Sequence, residues 1–203
     1  MYTEANGEIK GAGEWGINDG TYHIYWATNT TIARKAKSTM GYGDWGDAAS
    51  WKVDLITSEN QHSMKRACGA FMIGNGNYLG MIDYTGIWNP QAMNIEPGNV
   101  IKCLESRGDY LIMGSENRDL AEEGHIWKWI TTALNYIDKK KIPIKGINTL
   151  IDAELALLQG GTDGELFLSD FTNTEPLIAI PENGYSLPGG SAIDNDLALF
   201  GIY

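Results

Sequence analysis

The side chains best suited to chemistry are three lysines and an asparagine that recur along the chain. Each follows an apolar residue in a short run of similar pattern; they are Lys10, Lys65, Lys102 and Asn148. If these runs are equivalent strands, the four side chains face a common centre. The three ammonium groups would then bind a small anion, or would pair with carboxylates such as Glu14 and Glu105.

A second candidate site is the segment 40–51, in which aromatic residues alternate with glycine and aspartate. Trp45 and Tyr42 offer ring faces that can cover the C–H face of a sugar, and Asp44 and Asp47 can accept hydrogen bonds from its hydroxyls. The alternative is that these rings pack between structural units. We expect Trp45 to be the anchor of any sugar site here.

Other kinds of catalytic or cofactor site find no support in the sequence. His23, His62 and His125 lack metal-ligand spacing, and Cys68 and Cys103 belong to no metal or redox motif. A serine nucleophile elbow is missing, and the glycine-rich segments lie between strands rather than before helices. We therefore predict no catalytic residue, no metal site and no cofactor, and we expect a binding protein rather than an enzyme.

Composition narrows the classes of partner. The 203 residues carry 15 Lys plus Arg against 26 Asp plus Glu, a net charge of −11 that opposes a phosphate backbone. We therefore expect no nucleic acid partner. No apolar run is long enough for a transmembrane helix, and residues 1–20 lack the apolar stretch of a signal peptide, so we expect no membrane insertion.

The elements that would position these residues are strands, because short apolar or alternating runs are punctuated throughout by Gly, Asn and Asp. Four of the runs end in a glycine, at Gly74, Gly114, Gly160 and Gly201. These glycines lie 40, 46 and 41 residues apart, and Ala27 takes the same place one period earlier. The repeat predicts five copies of one structural unit.

The flanking segments repeat as well. A strand with the apolar–Lys/Asn pattern precedes each run, a tight turn such as Gly74-Asn75-Gly76 and a third strand follow it, and a looser fourth strand closes the unit. Four antiparallel strands in about 40–50 residues are typical of one β-propeller blade. The sequence thus predicts an all-β fold, a β-propeller of four-stranded antiparallel blades in a single domain, 1–203.

The predicted blades are four complete units and part of a fifth, at 8–57, 62–95, 100–142, 147–180 and 185–203. Because the last unit stops after two strands, we expect a fragment of a larger ring. The alternative is a compact ring of four or five blades whose last strands come from residues 1–8.

Residues 69–79 resemble blade segments of uncharacterised propellers from phage and environmental sequences. The resemblance implies no functional residues, but it implies a virion or extracellular location and a non-catalytic propeller that recognises a protein or a glycan. Two alternatives remain open: a carbohydrate-active enzyme, a glycoside hydrolase or lyase with its site at the propeller centre, and a purely structural scaffold. The sequence indicates neither the ligand nor the oligomeric state.

Overall fold

The structure, a computed structural model, is all-β, as predicted. It describes residues 3–4, 7–39, 51–57, 61–119, 123–153, 156–161, 165–169, 171, 174–179, 186–194 and 197–202. Within these ranges the helical content is one 3-10 turn, Lys37–Thr39, and no helix is long and apolar enough to cross a membrane.

The strands form a repeat of four-stranded antiparallel sheets, with a two-stranded pair at each end. The two initial strands are β1 (Thr3–Glu4) and β2 (Gly7–Glu8). Sheet 1 contains β3 (Gly11–Gly16), β4 (Tyr22–Ala27), β5 (Thr31–Ala36) and β6 (Trp51–Asp54). Sheet 2 contains β7 (Met64–Ala67), β8 (Ala70–Asn75), β9 (Tyr78–Ile82) and β10 (Trp88–Asn94).

Sheets 3 and 4 repeat the same order of strands. Sheet 3 contains β11 (Asn99–Arg107), β12 (Tyr110–Asn117), β13 (Gly124–Trp129) and β14 (Asp138–Ile142). Sheet 4 contains β15 (Ile147–Ala153), β16 (Ala156–Gly161), β17 (Glu165–Ser169) and β18 (Thr174–Ala179). The final pair is β19 (Ser186–Asp194) and β20 (Leu197–Ile202).

Each four-stranded sheet pairs its strands in chain order, so that the first strand lies at one edge and the fourth at the other. The first strands pack beside one another along the chain: β3 by β7, β7 by β11, β11 by β15, and β15 by β19. The sheets therefore stand side by side around their first strands, in a propeller-like repeat.

The core lies between successive sheets rather than within one of them. Between sheets 2 and 3 it includes Met72, Met113 and Trp127, and between sheets 3 and 4 it includes Ile112 and Leu157. Each blade-like unit therefore depends on its neighbours for the burial of its apolar faces, which is the main favourable term in folding.

The repeated glycine leaves room for the next sheet. A Cβ on Gly74 would lie 2.8 Å from Cγ2 of Ile101, and a Cβ on Gly114 would lie 2.7 Å from Cγ2 of Ile147. Ile101 and Ile147 belong to the first strands of the following sheets. The period seen in the sequence is therefore a packing requirement of the inner strands.

The turn predicted at Gly74-Asn75-Gly76 lies slightly later in the chain. Gly74 and Asn75 belong to β8, and the two-residue turn consists of Gly76, with φ +66°, and Asn77. Asn75 is fully buried. Gly76 has the positive φ that a tight hairpin needs, whereas Asn75 does not lie in the left-handed region.

A second tight turn has an unexpected residue. Cys68 and Gly69 connect β7 to β8 with φ values of +52° and +72°, the pattern of a type I′ hairpin. Cysteine replaces the asparagine or aspartate that usually precedes glycine in such turns. Its Sγ donates a hydrogen bond to the carbonyl of Asp109, 3.1 Å away, in the corresponding turn of sheet 3.

Candidate functional site

Three of the four predicted central residues share one register position. In sheet 3 the strand β11 has a bulge, because Ile101 pairs with Ser115 and Cys103 with Gly114, so that Lys102 is the extra residue. Sheet 4 has the same bulge at Asn148. Lys10 lies at the corresponding place in sheet 1, directly before Gly11, which pairs with Ala27.

The alignment of Lys65 with these residues is wrong. In sheet 2 the residue opposite the repeated glycine is Ser63, whose carbonyl accepts a hydrogen bond from the amide of Gly74 at 2.9 Å. The register position before it is therefore His62, and Lys65 lies three residues later. Counting back eleven residues from Gly74, Gly114 and Gly160 reaches the paired residue each time, so this spacing could have revealed the correct alignment.

The central lysines pair with carboxylates, the alternative that the sequence left open. The Nζ of Lys65 lies 2.6 Å from Oε1 of Glu105, as expected, and the Nζ of Lys102 lies 3.2 Å from Oε2 of Glu116. Glu14 pairs with Lys37 and Arg66 instead. Lys10 and Asn148 also have interaction partners. These pairs lower the positive charge that a central anion site would need.

Several of these ion pairs join the first strands of neighbouring sheets, one at each of three successive interfaces. From sheet 1 to sheet 4 they are Glu14–Arg66 at 3.2 Å, Lys65–Glu105 at 2.6 Å and Arg107–Asp152 at 3.6 Å. Because their side chains are partly exposed, each pair contributes little to the free energy of folding. Their geometry indicates a role in aligning the sheets.

His62 differs from a simple sheet residue, because it precedes β7 instead of lying within it. The imidazole is buried between sheets 1 and 2, with Nδ1 3.0 Å from the carbonyl oxygen of Gly74 and Nε2 3.4 Å from that of Asn29. Its position is therefore explained by hydrogen bonds to the backbone.

The predicted sugar-binding residues Tyr42, Asp44, Trp45 and Asp47 lie outside the described residues, so their role stays a prediction. Among the described residues, no group of three or more His, Cys, Asp and Glu side chains has the geometry of a metal site. Burial raises the pKa of both thiols, at Cys68 and Cys103.

The turns at one end of the sheets form a surface that sequence reasoning missed, here called the turn face. It consists of the first-to-second and third-to-fourth strand connections, 17–21, 68–69, 83–87, 108–109 and 130–137, together with Tyr22, the first residue of β4. Neighbouring turns contact each other, since the amide of Asn18 donates to the carbonyl of Tyr84 at 2.7 Å. The opposite ends of the sheets carry turns such as 76–77.

Exposed apolar side chains concentrate on the turn face. Among the described residues, six large hydrophobic side chains are exposed, and five belong to this face: Tyr22, Tyr84, Ile87, Leu134 and Ile137. The sixth, Ile56, lies at the opposite end. Leu134 is 92% exposed and Ile87 is 65% exposed. Apolar side chains gathered at one end of a protein are typical of an interaction surface.

Two of the grooves on the same face are lined by basic side chains. The first lies between sheets 1 and 2 and is lined by Glu14, Tyr22, Lys37 and Arg66, among others. The Nζ of Lys37 is 2.7 Å from Oε2 of Glu14, and Arg66 Nη2 is 3.2 Å from its Oε1. The hydrogen bond from Lys37, together with the charge of Arg66, lowers the pKa of Glu14. In this groove a carboxylate of the protein already lies between the two cations.

The second groove, between sheets 3 and 4, follows from strand register. Arg107 pairs with Tyr110 across β11 and β12, and Ile112 pairs with Lys128 across β12 and β13. Paired residues share a side of the sheet, and residues two apart on a strand also share it. All four side chains therefore lie on the side of sheet 3 that faces sheet 4, where Ile112 packs into the core.

Phe171, which follows β17, forms the opposite wall of this second groove. The Nζ of Lys128 lies 4.0 Å from the ring centroid of Tyr110 and 6.0 Å from that of Phe171. Within the described part of the chain, this ammonium group makes no ion pair and no hydrogen bond. The groove, about 480 Å³ in volume, is lined by the two rings, by Arg107 and by Asp109, and Lys128 forms an ion pair with none of the described carboxylates.

Comparison with known proteins supports the fold alone. No protein-family model and no curated protein matches the sequence. The crystal structure of the computationally designed Ika8 protein is 10% identical with a TM-score of 0.64; the match covers 96% of this chain and 55% of that one. The computationally designed Ika4 protein is 11% identical with a TM-score of 0.53, over 88% of this chain and 94% of that one.

The chain thus spans little more than half the length of the Ika8 protein. At identities this low, the similarity concerns the course of the backbone and carries no functional residue.

Proposed function

We propose that the protein is a non-catalytic binding module that engages a protein or glycan surface through its turn face. The observation that carries the proposal is the placement of five of the six exposed large hydrophobic side chains of the described residues on this face. A partner that covers this apolar area removes it from water, and this makes binding favourable.

The grooves support the same proposal. Both lie on the turn face, and each places a tyrosine beside two cations: Tyr22 with Lys37 and Arg66 in one, Tyr110 with Lys128 and Arg107 in the other. Tyrosine and arginine are frequent among residues that dominate binding energy, because they combine apolar area with polar atoms.

We also propose that the four sheets are propeller blades and that β19 and β20 form part of a fifth. The packing of successive first strands supports this arrangement. A location on a virion or cell surface belongs to the same proposal and rests on the resemblance of residues 69–79.

The test is to apply the labelled chain to an array of glycans and an array of cell-surface proteins. We expect retention on at least one array, and we expect Ile87→Ser and Leu134→Ser to reduce it at least about tenfold, since each removes apolar area from the contact. Ile56→Ser is the matched control, because Ile56 is exposed at the opposite end of the sheets.

Three results would contradict the proposal. Retention on neither array would favour the structural scaffold. Retention that Ile56→Ser reduces while Ile87→Ser does not would move the contact away from the turn face. Turnover of an arrayed polysaccharide, measured as reducing-end release, would favour the carbohydrate-active enzyme.

A separate Trp45→Ala variant tests the predicted sugar-binding loop. If this variant loses its retention on the glycan array, the binding site lies in that loop instead.

A further inference from the structure

The two grooves of the turn face differ in how their positive charge is balanced. In the groove between sheets 1 and 2, Glu14 lies within 3.2 Å of both Lys37 and Arg66. In the groove between sheets 3 and 4, Arg107 Nε lies 3.6 Å from Asp152 Oδ1, whereas Lys128 contacts aromatic rings. Asp109 also lines the second groove, but among the described residues no carboxylate forms an ion pair with Lys128.

We propose that the groove between sheets 3 and 4 binds a saccharide that carries a carboxylate, with Lys128 as the cation that holds it. The inference rests on the proposed binding function and names a ligand class for one part of the turn face. The carboxylate takes the position relative to Lys128 that Glu14 takes relative to Lys37. A hydrogen bond between charged groups is stronger than a neutral one, so the acid group sets the preference of the site.

The aromatic rings favour a saccharide over a peptide. Tyr110 and Phe171 border the groove with apolar ring surface, which suits the C–H groups of a pyranose. The strands β12 and β13 have partners on both sides. They offer no free edge to which a peptide strand could add, so recognition here depends on side chains.

The backbone at Phe171 provides a second, independent observation. Its φ is +71°, in the left-handed region that a bulky side chain rarely adopts, and its amide donates a hydrogen bond to the Oγ of Ser169 at 3.4 Å. Such a conformation is strained and is found more often at ligand sites than elsewhere. Here it places the ring on the groove beside Lys128.

The experiment is calorimetric titration of the full chain with trigalacturonate, an oligomer of a carboxylated sugar. Its methyl-esterified form, which has the same rings without the charge, is the matched ligand control. We expect saturable binding of trigalacturonate that is at least about tenfold tighter than binding of the ester, and that weakens as salt is added.

Variants of Lys128 test the residue itself. Lys128→Met keeps an unbranched side chain over Tyr110 but removes the charge, and we expect it to weaken binding at least about tenfold. Lys128→Arg restores a cation and is expected to recover most of the affinity. Lys52→Met changes an exposed lysine of β6 that lines neither groove, and it is expected to leave the affinity within about twofold. Circular dichroism of each variant establishes that it is folded.

The proposal is wrong if trigalacturonate shows no saturable binding, or if folded Lys128→Met binds it as tightly as the unchanged chain. Equal or tighter binding of a glutamate tripeptide would replace the saccharide by an acidic peptide, and equal binding of acetate would reduce the site to one for simple anions. Failure here combined with array binding that depends on Ile87 would remove this inference and leave the proposed function standing.

Discussion

Replacing Gly74 by alanine tests whether the repeated glycine exists to admit the next sheet. The added methyl group would lie 2.8 Å from Cγ2 of Ile101, whereas ordinary van der Waals contact begins at 3.4 Å. One of the two groups must therefore move by about 0.6 Å in an interior packed as densely as an organic crystal. Ile101 is 2% exposed and has little space to move.

The expected cost is the balance of two terms. Overpacking a core costs about 1–3 kcal/mol, and replacing glycine by alanine within a strand returns about 0.5–1 kcal/mol. We expect Gly74→Ala to lower the free energy of unfolding by about 1–2 kcal/mol, and the melting temperature by about 2–8 °C for a chain of this size. Urea denaturation followed by tryptophan fluorescence measures the first quantity.

The double variant Gly74→Ala with Ile101→Ala separates this clash from a general effect. Ile101→Ala alone should cost about 2–5 kcal/mol, because it leaves a cavity. The alanine at position 74 partly fills that cavity, so the double variant should be less destabilised than the sum of the two by about 1–2 kcal/mol. Additive costs, or a Gly74→Ala variant as stable as the original chain, would refute the packing explanation.

Three further predictions concern the described core and turns. Desolvation, with a contribution from the charge of Lys139, lowers the pKa of His125 from 6.5. As the pH falls, His125 therefore takes up its proton in the unfolded chain before it does so in the folded one, and the free energy of unfolding should fall below about pH 6.5. His125→Gln should reduce this dependence of the free energy of unfolding on pH, measured by urea titrations between pH 7 and pH 5. An unchanged dependence would contradict this explanation. Cys68→Asn should raise stability by about 0.5–1 kcal/mol, because asparagine tolerates the left-handed conformation at φ +52°, and a lower melting temperature would argue against the type I′ turn. Ser115→Ala should cost about 1–3 kcal/mol in chemical denaturation, because it leaves unpaired the buried indole N–H of Trp127, which donates to Ser115 Oγ at 2.8 Å; a cost below about 0.5 kcal/mol would show that another group accepts this hydrogen bond.

The fold could be predicted from the sequence because the residue types that mark each repeat, apolar runs and glycines, have clear structural roles. Apolar runs that end in Gly74 and Gly114 are second strands, and those glycines are required by the neighbouring sheet. The candidate site was much less accessible. Leu134 and Ile87 read as ordinary strand-forming or loop residues, and their exposure depends on how the turns of separate sheets come together.

The register of the strands is a feature that the apolar pattern of the sequence did not predict and that the structure shows. The apolar–Lys pattern aligned Lys65 with Lys102, although Lys65 lies three residues after the equivalent position, and only the spacing of eleven residues before each repeated glycine carries the correct alignment. A shift of this kind changes which side chains are neighbours without changing the apolar pattern. The hydrogen-bonded pairing of strands instead places His62 at that position.

The sequence by itself determined an all-β repeat, its period and the acidic balance of the chain, since strand pattern, glycine spacing and charge are local or additive properties. Only the tertiary structure decided which ionic groups neutralise each other and which do not. Lys65 finds Glu105 on the next sheet, while Lys128 meets the rings of Tyr110 and Phe171. These contacts join residues from different strands and sheets, and such proximity follows from the packing of one sheet against the next.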